Sequence, residues 1–168
     1  ALGYFAGEDL TSGVENTLVG GLSGRNITSA VNNTALGYAT LTNNVVGDNN
    51  TALGYRALED FVADTDGHGN NTAIGANAML NATTGTENTA VGTNAIGLGV
   101  ATGNNNVAVG IRAGEDLTSG HSNALLGGFA GRNITTGLQN VAIGYGAMST
   151  ANTGESKNVA VGFNTLSL

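Results

Sequence analysis

The sequence has no cysteine, no proline and no tryptophan. Without cysteine there is no disulfide framework, no thiolate metal site and no cysteine nucleophile. Without proline, and without glycine at every third position, the collagen helix is excluded. Charge is scarce: 10% of residues, against the usual ~25%. The few charges are unbalanced, with five Lys and Arg against twelve Asp and Glu and a net charge of −7. An acidic surface repels phosphate backbones, so no nucleic-acid partner is expected. No apolar run approaches the ~18 residues of a spanning helix, so no membrane insertion is expected. The amino-terminus has no basic stretch leading into an apolar segment, so no signal peptide is expected. Disordered chains are rich in charge and poor in apolar residues, and this one is the reverse.

Glycine, by contrast, supplies 28 of 168 residues, about one in six where ~7% is average. A chain of Gly, Ala, Asn and Thr has few bulky residues for a globular core, which directs attention to repeats. One five-residue motif recurs: Asn, a small or β-branched residue, usually Ala, then Leu, Ile or Val, then Gly. Examples are Asn50-Thr51-Ala52-Leu53-Gly54 and Asn106-Val107-Ala108-Val109-Gly110. The motif glycines are Gly3, Gly20, Gly37, Gly54, Gly75, Gly92, Gly110, Gly127, Gly144 and Gly162. Their spacings are 17, 17, 17, 21, 17, 18, 17, 17 and 18, a 17-residue period with three insertions that covers the whole chain. A second glycine usually follows about ten residues later (Gly13, Gly47, Gly85, Gly120, Gly137, Gly154) and reads as a turn signal. A longer copy is superimposed. Gly7-Glu8-Asp9-Leu10-Thr11-Ser12-Gly13 recurs as Gly114–Gly120, and Gly24-Arg25-Asn26-Ile27-Thr28 as Gly131–Thr135, both at an offset of 107 residues. A block of six repeats was duplicated, and residues 1–168 read as one repeat domain within a longer fibre.

Seventeen residues are too few for a helix pair, which takes 33 or more. They suit one coil of an all-β parallel β-solenoid, here about ten coils. The Asn-Thr-Ala-Leu-Gly segment reads as the strand, whose alternate residues face opposite sides. One side carries the bulky stripe Leu36, Leu53, Ile74, Val91, Val109, Leu126, Ile143 and Val161. The other carries Ala35, Ala52, Ala73, Ala90, Ala108, Ala142 and Ala160 with the motif glycines. Both stripes are apolar, so one fills the coil and the other needs cover, most simply from a neighbouring chain. The motif asparagines Asn16, Asn33, Asn50, Asn71, Asn88, Asn106, Asn123, Asn140 and Asn158 are expected to stack as a hydrogen-bonded ladder. The segment after the motif glycine is open between an outer strand and a helical turn.

These motifs resemble the short repeats of trimeric fibre proteins, phage tail-fibre shafts and the head repeats of trimeric autotransporter adhesins. Asn50–Leu58 and Ala82–Gly92 carry the likeness best, and it runs through all ten repeats. The resemblance implies a left-handed β-roll, three intertwined parallel chains, and attachment at a virion or cell surface outside the cell. The period departs from the adhesin heads, whose repeat is shorter.

Candidate chemistry is thin. Asp64-Thr65-Asp66-Gly67-His68 lies in the longest insertion, below Asp60. Acidic oxygens at alternate positions beside glycine suit Ca²⁺, with Asp64 and Asp66 as ligands. A twelve-residue calcium loop would place its final Glu at Gly75 and a ligand at His68, so a solvated loop is the stronger reading. Asp60, Asp64, Asp66 and His68 are alternatively a contact loop for a glycan or receptor, since solenoid insertions sit on an exposed face. The two histidines, His68 and His121, lie about three coils apart and assemble no catalytic set; the chain is not expected to be an enzyme and no cofactor is expected. Glu8-Asp9 and Glu115-Asp116 read as solvated corners. Thr17, Thr34, Thr51, Thr72 and Thr89 form a column of the kind that orders water in ice-binding solenoids. It continues as Val107, Ala124, Val141 and Val159, which favours a buried position. The expected function is therefore a non-enzymatic shaft of an extracellular fibre or filament built from copies of itself. The alternatives are an adhesin flank that binds carbohydrate or matrix, and an ice-binding solenoid.

Overall fold

The computed structural model describes residues 1–63, 68–150 and 154–167. It is a β-solenoid. Nine three-residue strands form one parallel sheet: β1 (Thr17–Val19), β2 (Thr34–Leu36), β3 (Thr51–Leu53), β4 (Thr72–Ile74), β5 (Thr89–Val91), β6 (Val107–Val109), β7 (Ala124–Leu126), β8 (Val141–Ile143) and β9 (Val159–Val161). Their order in the sheet is their order in the chain. Register is strict, so that Thr34 pairs with Thr51, Ala35 with Ala52 and Leu36 with Leu53. The tenth motif contributes a single bridge, Leu2 to Val19. At ~4.8 Å per strand the sheet is about 40 Å long.

The alanine side of each strand faces the interior: Ala35, Ala52, Ala73, Ala90, Ala108 and Ala142 are fully buried. Opposite them, four residues past each motif glycine, Leu41, Leu58, Met79, Ile96 and Met148 are buried too. The core is thus a row of small residues from the sheet against large ones from the far corner. The bulky strand residues face outward. Leu36, Leu53, Val109, Leu126 and Ile143 are each about two-fifths exposed, and Val161 more. The threonine column lies on this outward face with them, Thr17 and Thr34 being exposed. That overturns the expectation that the switch to valine marks a buried position. Two residues apart on a strand means the same side, and the interior is already filled by the alanines.

The segment after the motif glycine is neither strand nor helix but a pair of tight turns, as in Gly75–Ala78 and Asn77–Leu80, whose carbonyls accept from the third N–H onward at 3.3 Å. Every second residue there is left-handed: Arg56 and Leu58, Asn77 and Met79, with φ between 51° and 56°. Backbone groups freed by this geometry bond to the adjacent coils, as Arg56 N–H does to the Tyr38 carbonyl at 2.9 Å and Leu58 N–H to the Ala78 carbonyl at 3.0 Å. Hydrogen bonding along the stack therefore stabilises backbone angles that cost an ordinary residue about 1 kcal/mol or more.

The second glycine of each coil has another cause than the one its spacing suggests. Gly13, Gly85, Gly120 and Gly137 are not left-handed; a β-carbon on them would lie 2.3–2.7 Å from a carbonyl oxygen of the next coil. They permit close stacking rather than a special turn. Motif glycines need both properties: Gly37 has φ +139°, and its β-carbon would lie 2.4 Å from the Gly54 carbonyl oxygen.

Candidate functional site

The asparagine ladder is continuous. Asn123 Oδ1 accepts from the backbone N–H and from Nδ2 of Asn140, both at 3.0 Å. Its own Nδ2 donates to Asn106 Oδ1 at 3.0 Å and to the Gly137 carbonyl at 2.9 Å. The same pattern joins Asn16 to Asn33, Asn33 to Asn50, Asn50 to Asn71, Asn88 to Asn106 and Asn140 to Asn158. Between Asn71 and Asn88 the link is the backbone N–H at 3.0 Å. Asn33, Asn50, Asn71, Asn88, Asn106, Asn123 and Asn140 are buried. Asn33, Asn71, Asn88, Asn106, Asn123 and Asn140 each tie the start of a strand to a carbonyl of the turn just before the next motif asparagine. A buried amide with both donors and its acceptor occupied has nothing left for a ligand.

Of the contact-loop residues, Asp64 and Asp66 lie outside the described residues, and with them the calcium reading. On the carboxyl side of the insertion the His68 carbonyl accepts from Asp48 N–H at 3.2 Å. The His68 residue is exposed, and Asp60 accepts from Asn43 Nδ2 at 2.9 Å. Among the described residues no group of three or more His, Asp or Glu is placed to hold a metal ion. His121 Nδ1 lies 3.3 Å from Ser122 Oγ and faces no carboxylate in that contact.

One charged site differs from its reading as a solvated corner. Glu115 is 1% exposed and meets two arginines: Arg132 of the next coil at 2.9 Å and Arg112 of its own at 3.3 Å. Both guanidinium groups also lie over the Phe129 ring, at 5.7 and 6.0 Å. Glu8, its duplicate, is exposed and among the described residues pairs with Arg25, Phe5 standing where the second copy has Arg112. The sequence carries that signal, since only the later copy flanks the glutamate with two arginines.

Open clefts mark the surface among the described residues. One, about 340 Å³, is lined by Thr102, Gly103, Asn104, Asn105, Ser119 and His121. Another, about 290 Å³, lies beside the aromatic pair Phe129 and Tyr145. The first brings the Ser119 hydroxyl and the His121 imidazole to one cleft, with His121 Nδ1 paired to Ser122 Oγ at 3.3 Å; the lining of the second includes no histidine or carboxylate.

The outward face of the sheet exposes a continuous row of apolar side chains. Its central column is the Leu, Ile and Val row. The first strand residues form a second column, and the residues just after the motif glycines a third. The third includes Tyr38 and Tyr55, stacked with ring centres 5.8 Å apart, and Tyr145 and Phe163, stacked at 5.6 Å. From Thr17 to Phe163 the three columns contain no charged residue. Comparison of the chain with models of protein families, with curated proteins and with solved structures gives no match.

Proposed function

We propose that this chain is a non-enzymatic structural shaft, a segment of an extracellular fibre that assembles from copies of itself and serves attachment. The observation that carries this reading is the outward face: an uncharged, apolar, regular surface running the length of a straight stack. Apolar patches larger than about 300–600 Å² on a single chain mark interaction sites. A stack whose coils touch only their neighbours gains stability when a further chain covers such a face. The resemblance to trimeric fibres favours three chains side by side, at a virion or cell surface.

Negative-stain microscopy and small-angle scattering test the reading. Rods of uniform width containing more than one chain support it; compact single-chain particles overturn it.

A second reading rests on the same face. Five threonine hydroxyls on consecutive strands, beside branched apolar side chains at the strand spacing, offer a regular surface to ordered water. Thermal hysteresis in the unassembled chain distinguishes ice binding from a shaft.

A further inference from the structure

The shaft reading leaves open how copies meet, and the three outward columns carry an answer. Their length is about 40 Å and their width about 15–20 Å, giving roughly 600–800 Å² per chain. That approaches the ~800 Å² each partner contributes to a stable interface. The central column alone keeps Leu36, Leu53, Leu126 and Ile143 about two-fifths exposed. No charge lies in the columns to keep the face in water.

We propose that this face is covered by the same face of a second copy of this chain, lying parallel and in register. The proposal rests on the self-assembling shaft reading above, with a two-fold pair in place of its three chains, because a same-face mate leaves no face for a third. Orientation follows from the way the flanking columns change character together. Thr34 shares its coil with Tyr38, and Thr51 with Tyr55. Thr89 likewise shares its coil with Thr93, whereas Val107 shares its coil with Ile111 and Val159 with Phe163; Val141, beside Tyr145, is the mixed coil. A symmetry axis along the central column sets the first column of each coil against the third column of the same coil in a parallel mate. Thr34, Thr51 and Thr89 then meet hydroxyl-bearing residues, and Val107 and Val159 meet hydrocarbon, while Thr17, Thr72 and Tyr145 have no hydroxyl opposite. An antiparallel mate reverses the order of strands, so that Thr34 faces Val141 and Thr51 faces Ala124. Hydroxyls would then be desolvated against methyl groups that accept no hydrogen bond, which is unfavourable. The parallel arrangement also gives the assembly one polarity, as a shaft with two different ends requires.

The absence of cysteine makes the test direct, because an introduced thiol is the only one. Leu53→Cys and Leu126→Cys place single thiols on the central column, on β3 and β7. The two variants, one carrying a mass tag, are mixed, dissociated, reassembled and treated with a bismaleimide of about 10 Å reach, the spacing of packed sheets. The parallel register predicts Leu53→Cys joined to itself and Leu126→Cys joined to itself, with the mixed product at least ~10-fold rarer, a preference of about 1.4 kcal/mol. A predominant mixed product means antiparallel packing and overturns the proposal. A companion variant, Leu53→Glu, changes a side chain that is already partly in water. It is expected to lose assembly while keeping the circular dichroism of the native sheet. If the native chain assembles but Leu53→Glu assembles equally and no thiols join, this face is not the contact; the proposal fails and the shaft reading stands. If the native chain sediments as a monomer at every concentration, both fail, and loss of thermal hysteresis in Leu53→Glu would assign the face to ice.

Discussion

Leu18 fills the space that Gly24 leaves empty. A β-carbon on Gly24 would lie 2.7 Å from Leu18 Cδ2, and one on Gly7, in the preceding coil, 2.9 Å from Leu18 Cδ1. The relation repeats 107 residues later, where Gly131 and Gly114 would meet the two methyls of Leu125 at 2.6 and 2.8 Å. In the coils of β2 to β5 and β8 the strand supplies alanine and the far corner supplies Leu, Met or Ile, as with Ala35 and Leu41 or Ala73 and Met79, whereas in the coil of β6 both walls are small, Ala108 and Gly114, and Leu125 of the next coil reaches in. The interior volume of a coil is held while its source moves from one wall to the other.

Exchanging the two walls tests this relation. Leu18→Ala opens a cavity and is expected to cost about 2–5 kcal/mol. Gly24→Leu alone overpacks the same space, and at φ +56° it adds backbone strain, for a cost of about 2–4 kcal/mol. The double variant restores the Ala and Leu arrangement of the neighbouring coils. Its denaturation midpoint should lie nearer the native value than the sum of the single changes places it. Additive losses would show that the two positions do not share a volume.

Close stacking gives a comparison between equivalent glycines. Gly120→Ala drives a β-carbon to 2.6 Å from the Gly137 carbonyl oxygen, whereas at Gly154 nothing lies within 4 Å. Gly120→Ala is expected to cost about 2–4 kcal/mol, and Gly154→Ala to change stability by less than about 0.5 kcal/mol. Thermal melting of the two variants side by side checks this. Equal losses would return the second glycine to the turn role that its spacing suggests.

The ladder is tested at its middle. Asn123→Ala removes the partners of Asn106, Asn140 and the Gly137 carbonyl, all in the interior, and is expected to cost about 3 kcal/mol or more. Asn123→Asp keeps the acceptor but loses both donors and sets a carboxylate against two acceptor oxygens. That arrangement favours the protonated acid in the folded chain. The Asn123→Asp midpoint should therefore rise as pH falls through the carboxyl range, while that of Asn123→Ala does not follow it. The same midpoint for Asn123→Asp at pH 4 and pH 8 would contradict the account.

The duplicated ion pairs supply an internal control. Arg132→Met leaves the buried Glu115 with one cation, whereas Arg25→Met leaves the exposed Glu8 to water. The first is expected to lower stability by about 2–3 kcal/mol and the second by less than about 1 kcal/mol. Urea titrations of both variants decide it, and equal effects would contradict the burial of Glu115.

The repeat made much of this legible before any geometry. A 17-residue period and an asparagine in register with itself imply stacked coils, and the strands fall where Asn-Thr-Ala-Leu-Gly places them. The sequence did not say which face turns inward. Ala35 and Leu36 alternate with equal regularity, and the choice depends on Leu41 arriving from another part of the coil. The exchange of Leu18 for Gly24 did leave a trace, since the motif alanine becomes leucine only at Leu18 and Leu125, and in both of those copies the far corner is glycine, Gly24 and Gly131. The left-handed turns at Arg56 and Leu58 left none, because bonds between coils, not residue type, hold them. The outward position of Thr34 was misread by treating a change to valine as burial, when valine also stands on a face that lacks its cover.

Sedimentation equilibrium of the native chain over a wide concentration range tests the central claim most directly. A self-assembling shaft predicts a mass of two or more times 16.6 kDa, two chains where the outward faces pair and three in the trimeric arrangement, and a mass that falls to one chain in Leu53→Glu. A constant 16.6 kDa species at every concentration would contradict it.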